Sequence, residues 1–105
     1  MASVNSVQIL GNLGKDPDSK VTPSGQAVCN FSVATSRSWT DKTSGEKQEK
    51  TEWHRVVAWG KLAELCSQYL KKGRKAYVSG RLETRQWEKD GQKHYSTEVV
   101  VDKVV

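Results

Sequence analysis

The chain is expected to fold as an all-β domain: a five-stranded Greek-key barrel with one short α-helix between its third and fourth strands. Three observations lead there. Apolar residues recur at the strand period of two in successive stretches separated by Gly, Pro and Asp turn signals. A single stretch, Gly60 to Gly73, changes to helical spacing. The length, 105 residues, suffices for one hydrophobic core and not for two.

The first strand is read over Val4 to Leu13, with Gly11 as the bend where a barrel strand curves. Lys15-Asp16-Pro17-Asp18 ends it, and Pro17, Pro23 and Ser24-Gly25 bracket a turn-rich connection. From Gln26, Ala27, Cys29, Phe31, Val33 and Thr35 face one way, and Val28, Asn30, Ser32 and Ala34 the other. Ser36 to Lys50 is polar and charged around Gly45, and reads as a long, mobile hairpin finger with Trp39 at its base. The third strand, Thr51 to Gly60, places Trp53, Arg55, Val57 and Trp59 on one side and Glu52, His54, Val56 and Ala58 on the other.

In the helix, Leu62, Leu65, Cys66 and Tyr69 form one apolar stripe for core packing. Lys71 and Lys72 are placed in the last turn, and Gly73 at the left-handed cap. Lys75 to Trp87 alternates again, with Ala76, Val78, Gly80, Leu82 and Thr84 opposite a basic and aromatic face ending in Arg81, Arg85 and Trp87. Lys89-Asp90-Gly91 turns the chain into a last strand, His94 to Val101. Five strands with a helix between the third and fourth is the layout of an OB-fold barrel.

Composition narrows the function. The net charge is +5, which favours polyanions without identifying one. Cys29 and Cys66 lie inside apolar-periodic stretches, as buried thiols in a reducing compartment rather than a disulfide. The first residues lack a basic end followed by an apolar run, and no apolar stretch is long enough to span a bilayer, so a cytoplasmic protein without membrane partners is expected. No metal-ligand spacing, Cys-x-x-Cys or phosphate-binding glycine loop occurs. Glu52, His54 and His94 are the nearest approach to an acid-base set and read as a rim charge and two ordinary histidines, so neither enzymatic activity nor a cofactor is expected.

Binding chemistry is better supplied. An arginine between two tryptophans on one strand face would be costly to bury unpaired, and it suits a flat, anionic partner with exposed bases. Bases stack on aromatic rings while Lys and Arg neutralise phosphates. The stacking candidates are Trp39, Trp53, Trp59 and Trp87, and the backbone candidates Lys42, Arg55, Lys61, Lys72, Arg81 and Arg85. A single-stranded DNA, a cold-shock-like RNA ligand and a mainly protein-binding role all remain open on this reading. So does His54, as a barrel-wall residue or a subunit contact.

Particular blocks of the sequence go further. Gly11-Asn12-Leu13-Gly14-x-Asp16-Pro17, Ala34-Thr35-Ser36-x-Ser38-Trp39, Thr51-Glu52-Trp53-His54-Arg55-Val56-Val57, Gly60-Lys61-Leu62-Ala63-Glu64, Tyr69-Leu70-x-Lys72-Gly73 and Tyr95-x-Thr97-Glu98-Val99-Val100-Val101 together closely resemble the bacterial single-stranded DNA-binding proteins. The resemblance spans essentially the whole chain in order. It implies an OB-fold homotetramer that wraps single-stranded DNA without sequence preference during replication, recombination and repair. It carries the base-stacking role onto Trp39, Trp53, Trp59 and Trp87, with Trp59 at a site often held by phenylalanine. It places His54 at a subunit interface together with the first strand, through Asn5, Val7, Gln8 and Ile9. Gln8 stands where a hydrophobe is common, and Glu83 and Gln86 where basic residues are frequent. The resemblance also implies a flexible tail with an acidic tip that recruits replication and repair proteins. The sequence ends at Val105 without that tail, so such partners are expected only for a chain that continues further.

Overall fold

A computed structural model describes residues 2–105, and Met1 lies outside it. Six strands and one helix follow in the order β1 (Val7–Leu13), β2 (Asp18–Val21), β3 (Ala27–Thr40), β4 (Lys47–Trp59), α1 (Lys61–Tyr69), β5 (Lys75–Lys89) and β6 (Gln92–Val104). Five of the strands form the expected barrel. They run β1-β5-β6-β4-β3 and close through β1 against β3, where Asn12 and Leu13 pair with Ala34 and Val33. Every pairing is antiparallel except β4 with β6, which meet in parallel at Val56↔Val99 and Val57↔Val100.

The interior follows the alternation. Ile9, Leu13, Cys29, Phe31, Val33, Val56, Ala58, Ala76, Val78, Val99 and Val101 form one buried cluster, joined by Ala63, Cys66 and Leu70 from and beside the helix. At Gly11 a Cβ would collide with the Ala34 carbonyl, so the closure of β1 on β3 requires glycine there. Gly80 lies against the Val100 carbonyl at a register shift that leaves Asp102 without a partner on β5. Asn5 extends β1 beyond its ladder, since its side-chain amide donates to the Leu82 carbonyl and accepts from the Leu82 N–H, both at 2.9 Å.

Four expectations change. The connection after β1 contains a short strand, β2, pairing Asp18 to Val21 with Asn30 to Ala27. All four of its residues are exposed, so no apolar alternation announces it. The helix buries Ala63 and Cys66, with Leu70 just beyond, rather than the stripe through Leu65 and Tyr69, which are half exposed. Small side chains at the contact let so short a helix lie close to β3 and β4. Lys71 and Lys72 lie past the helix end, which stops at Leu70 in extended conformation. Gly73 is left-handed, with φ 84°, but it closes the following turn, donating its N–H to the Leu13 carbonyl at 2.8 Å. Trp39 is near the finger's tip rather than its base: β3 and β4 stay paired out to Thr40↔Lys47.

Two long hairpins leave the barrel, stretching the molecule to 55 Å against 37 and 36 Å. The β3–β4 finger turns at Asp41 to Glu46, where the Glu46 carbonyl accepts from the Asp41 N–H and Asp41 Oδ1 from the Thr43 N–H. The β5–β6 arm turns at Asp90-Gly91, both with positive φ, as a two-residue type I′ turn requires.

Burial pushes the Cys29 thiol above its ordinary value and that of Cys66 up to about 11. Both thiols therefore remain protonated in the fold at alkalinities where an unfolded chain has begun to ionise them. Stability should fall as pH rises from 9 towards 11, because the unfolded state then binds fewer protons. A thiol reagent at pH 8 should label neither cysteine until urea unfolds the chain.

Candidate nucleic-acid interface

Strand parity decides which side chains meet. The interior parity of β4 carries Val56 and Ala58, so Trp53, Arg55, Val57 and Trp59 point outwards. On β5 and β6 the same argument turns Arg85, Trp87, His94, Ser96 and Glu98 outwards. These two sets adjoin across the β4–β6 seam, and the Arg55 guanidinium crosses it to donate to Ser96 Oγ at 3.3 Å.

The resulting surface has two grooves that share Arg55. One, of about 580 Å³, runs from Lys15 and Lys20 past Asn30 and Ser32 to Trp59, Arg85 and Glu98. The other, of about 560 Å³, opens where the finger and the arm diverge, between Trp53, His54, Trp87 and Tyr95. The rings themselves are accessible: Trp39, Trp53, Trp59 and Trp87 are 41%, 59%, 42% and 38% exposed. Indoles of that size in a folded domain usually bury more of their surface than this.

Charge is laid directly against two of the rings. The Arg37 guanidinium sits 4.9 Å from the Trp39 ring centre, and that of Arg85 sits 5.0 Å from the Trp87 ring centre. Trp87 also stacks on His94, its cross-strand partner, at 5.6 Å and 21°. Arg85 is held from behind by Glu98 at 3.4 Å, a carboxylate only 12% exposed. One arm thus aligns Glu98, Arg85, Trp87 and His94.

The structure brings together Trp53, Trp59, Trp87, Arg55 and Arg85 from the sequence-derived set. It separates Trp39, which has the interior parity of β3 and so lies on the other face of the finger from Trp53. Lys42 is in the finger's turn, Lys61 opens α1, and Lys72 follows it, its backbone N–H donating to Asp16 Oδ1 at 2.8 Å. Arg81 forms an ion pair with Glu83 at 2.7 Å. None of these four cations lines either groove.

Of the residues expected at a subunit contact, Ile9 is in the barrel core and Val7 packs partly against it. Gln8, Leu10 and Asn12 are the side chains that β1 exposes. Asn5 is occupied with Leu82, and His54 shares a 2.8 Å hydrogen bond between its Nε2 and Thr35 Oγ1.

Sequence reasoning missed Lys15, Lys20, Tyr95, His94 and Ser96. Tyr95 shares the strand parity of the buried Val99 and Val101, which on alternation alone would put it in the core. The barrel ends before it, leaving Tyr95 62% exposed in the cleft. Its signal was position, beyond the last buried valine.

Among the described residues there is no cluster of potential metal ligands and no helix long and apolar enough to cross a membrane. With guanidinium groups beside the rings, the anion iodide should quench the tryptophan fluorescence more strongly than the cation caesium. Equal quenching by the two would mean that the rings lack their cationic surroundings.

Known proteins share this sequence pattern and fold. The profile of the Single-strand binding protein family matches residues 4–105. Single-stranded DNA-binding protein 1 of Chlorobaculum tepidum is 58% identical over 99 residues, which cover 92% of this chain and 60% of that protein. The chain thus spans about three-fifths of the length of that curated relative. A solved structure of the Plasmodium falciparum SSB complex with ssDNA superposes with a TM-score of 0.87 at 36% identity, covering all of this chain and 94% of that one. A deletion mutant of the single-stranded DNA-binding protein from Thermus aquaticus gives 0.83 at 37% identity, covering 97% of this chain and 49% of that one.

Proposed function

Because the chain belongs to the Single-strand binding protein family, a family of non-enzymatic DNA-binding proteins, we propose that it holds single-stranded DNA without regard to sequence, by stacking bases on indole rings and neutralising the phosphates between them. The observation that carries this reading is the outward face on which Trp53, Trp59 and Trp87 surround Arg55 and Arg85. Rings accept any base because every base has a π-face, whereas a hydrogen-bonding pocket would select among them. A duplex offers no free base faces to such a surface, so the unpaired strand is the ligand. Trp39 and Lys42 on the finger, and Lys61, Lys72 and Arg81 around the barrel, extend the path of the strand beyond the grooves. Neither cofactor nor metal is needed for such binding.

Self-association accompanies binding. β1 pairs with β5 on one side, while its other edge meets β3 only at Asn12 and Leu13. That leaves a free edge from Val7 to Leu10, with Gln8 and Leu10 exposed beside it, for a second copy to pair with. His54, at the mouth of the barrel, is assigned to a contact between copies in a homotetramer. The setting is a reducing cytoplasm, which the two buried free thiols suit. Replication, recombination and repair are the processes that expose such strands. Protein partners of those processes belong to any acidic tail beyond Val105.

Titration with oligo-dT should quench the tryptophan fluorescence, and the affinity should fall with salt at a log-log slope of about −0.7 per phosphate contacted. Trp53→Ala, Trp59→Ala or Trp87→Ala should each weaken binding by about 1–3 kcal/mol. Unchanged fluorescence at low salt would remove the proposal, and preference for oligo-rU in competition would redirect it to RNA. For assembly, His54→Lys places like charges together and should lower the mass seen by light scattering. An unaltered mass would return His54 to the barrel wall.

A further inference from the structure

Each exposed tryptophan stacks well only if its ring is held at a usable angle, and Trp53, the most exposed of the four, has no cation over it among the described residues. What lies against it is the chain between β1 and β2. A Cβ added to Gly14 would collide with Trp53 Cζ3 and fall 2.6 Å from Cη2, the far edge of the indole. Gly14 does not have the positive φ that otherwise demands glycine, unlike Gly25, Gly45, Gly60, Gly73 and Gly91. The three nearest atoms that a Cβ there would meet outside its chain neighbours all belong to the Trp53 ring. The backbone position is fixed independently, by Gly14 N–H donating to the Ser32 carbonyl at 3.4 Å and by Leu13 in the core beside it.

We infer that Gly14 is a positioning residue for base binding: its missing side chain forms the seat on which the Trp53 indole lies, and so sets the angle at which the ring meets a base. The inference rests on the reading that Trp53 stacks bases. Gly14, Lys15, Ser32, Trp53 and Arg55 together line a hollow of about 350 Å³, so the seat opens directly onto the guanidinium that would meet the adjoining phosphate. A methyl group at position 14 would displace the ring from this seat and disturb its placement beside Arg55. Because the ring is exposed it can tilt without unfolding the barrel, so the effect falls on binding and not on stability.

The test is a cycle of variants read by oligo-dT affinity, with thermal melting alongside. Gly14→Ala should weaken binding roughly fivefold, a part of the loss expected from removing one stack, and leave the melting temperature near that of the parent. In the Trp53→Ala background the same change should have no effect. Trp53→Phe should rescue it, because a phenyl ring lacks the outer indole edge that a Cβ would strike. A Gly14→Ala loss of equal size in all three backgrounds, or no loss in the parent, overturns the inference. Parental affinity of Trp53→Ala alone would refute the stacking role of Trp53 instead, and Gly14's role with it. If Gly14→Ala melts early, the Trp53→Phe double variant still decides: recovered affinity supports the seat, and persistent loss contradicts it.

Discussion

The parallel contact of β4 with β6 is two residue pairs long, and the binding face depends on its brevity. Parallel neighbours in so small a barrel cannot be joined by a tight turn; here the chain between them forms α1 and β5. At Val56 and Val57 the seam is tight enough to complete the core. On the amino-terminal side of those residues the strands part, each remaining paired with its own hairpin partner. Backbone hydrogen bonds therefore stay satisfied along both arms while a cleft opens between them. A longer ladder in the same register would have carried Trp53 alongside Ser96 in a continuous sheet, with no cleft between finger and arm. Arg55, bonded to Ser96, spans the point of divergence and belongs to both grooves.

The same alternation serves the core and the surface, and it changes meaning where the barrel stops. On β5, Ala76, Val78 and Gly80 are interior, while Leu82 and Thr84, next in the same series, are exposed. On β6, Val99 and Val101 are buried while Tyr95 and Thr97 are not. This explains how much could be read from residues alone. The faces of β4 were legible because Arg55 between two tryptophans breaks the pattern of a buried strand. The role of Tyr95 was not, because alternation gives a side chain's direction without saying whether anything covers it. Likewise β2 is held by backbone pairing with β3 and leaves no hydrophobic period to find. Of the helix stripe, Cys66 is buried and Leu62 packs on the core, but Leu65 and Tyr69 are larger than Ala63 and stay half exposed, since proximity to β3 and β4 favours the small residue. Gly14 stood in plain view within a Gly-Asn-Leu-Gly block, but only the fold brings it against Trp53, thirty-nine residues later.

Electrostatics gives the face its remaining character. Carboxylates sit inside a surface suited to phosphate: Asp16 and Asp18 line the same groove as Lys15 and Lys20, and Glu98 holds Arg85. A carboxylate can only accept hydrogen bonds, so it offers a phosphate repulsion and nothing else. Its effect is to restrict where phosphates rest, and to keep Arg85 lying across Trp87 instead of trailing into water. With the Arg85 side chain 61% exposed, the pair contributes little to stability. Its contribution is geometric: the Trp87 ring has its cation already in place, and the Trp39 ring has Arg37. Trp53 lacks such a cation and is steadied by contact with backbone at Gly14. The surface thus uses two means, charge and shape, to hold large aromatic rings in water at angles a base can meet. Both leave the rings themselves exposed, which is the condition for a ligand recognised by its flat faces rather than by its edges.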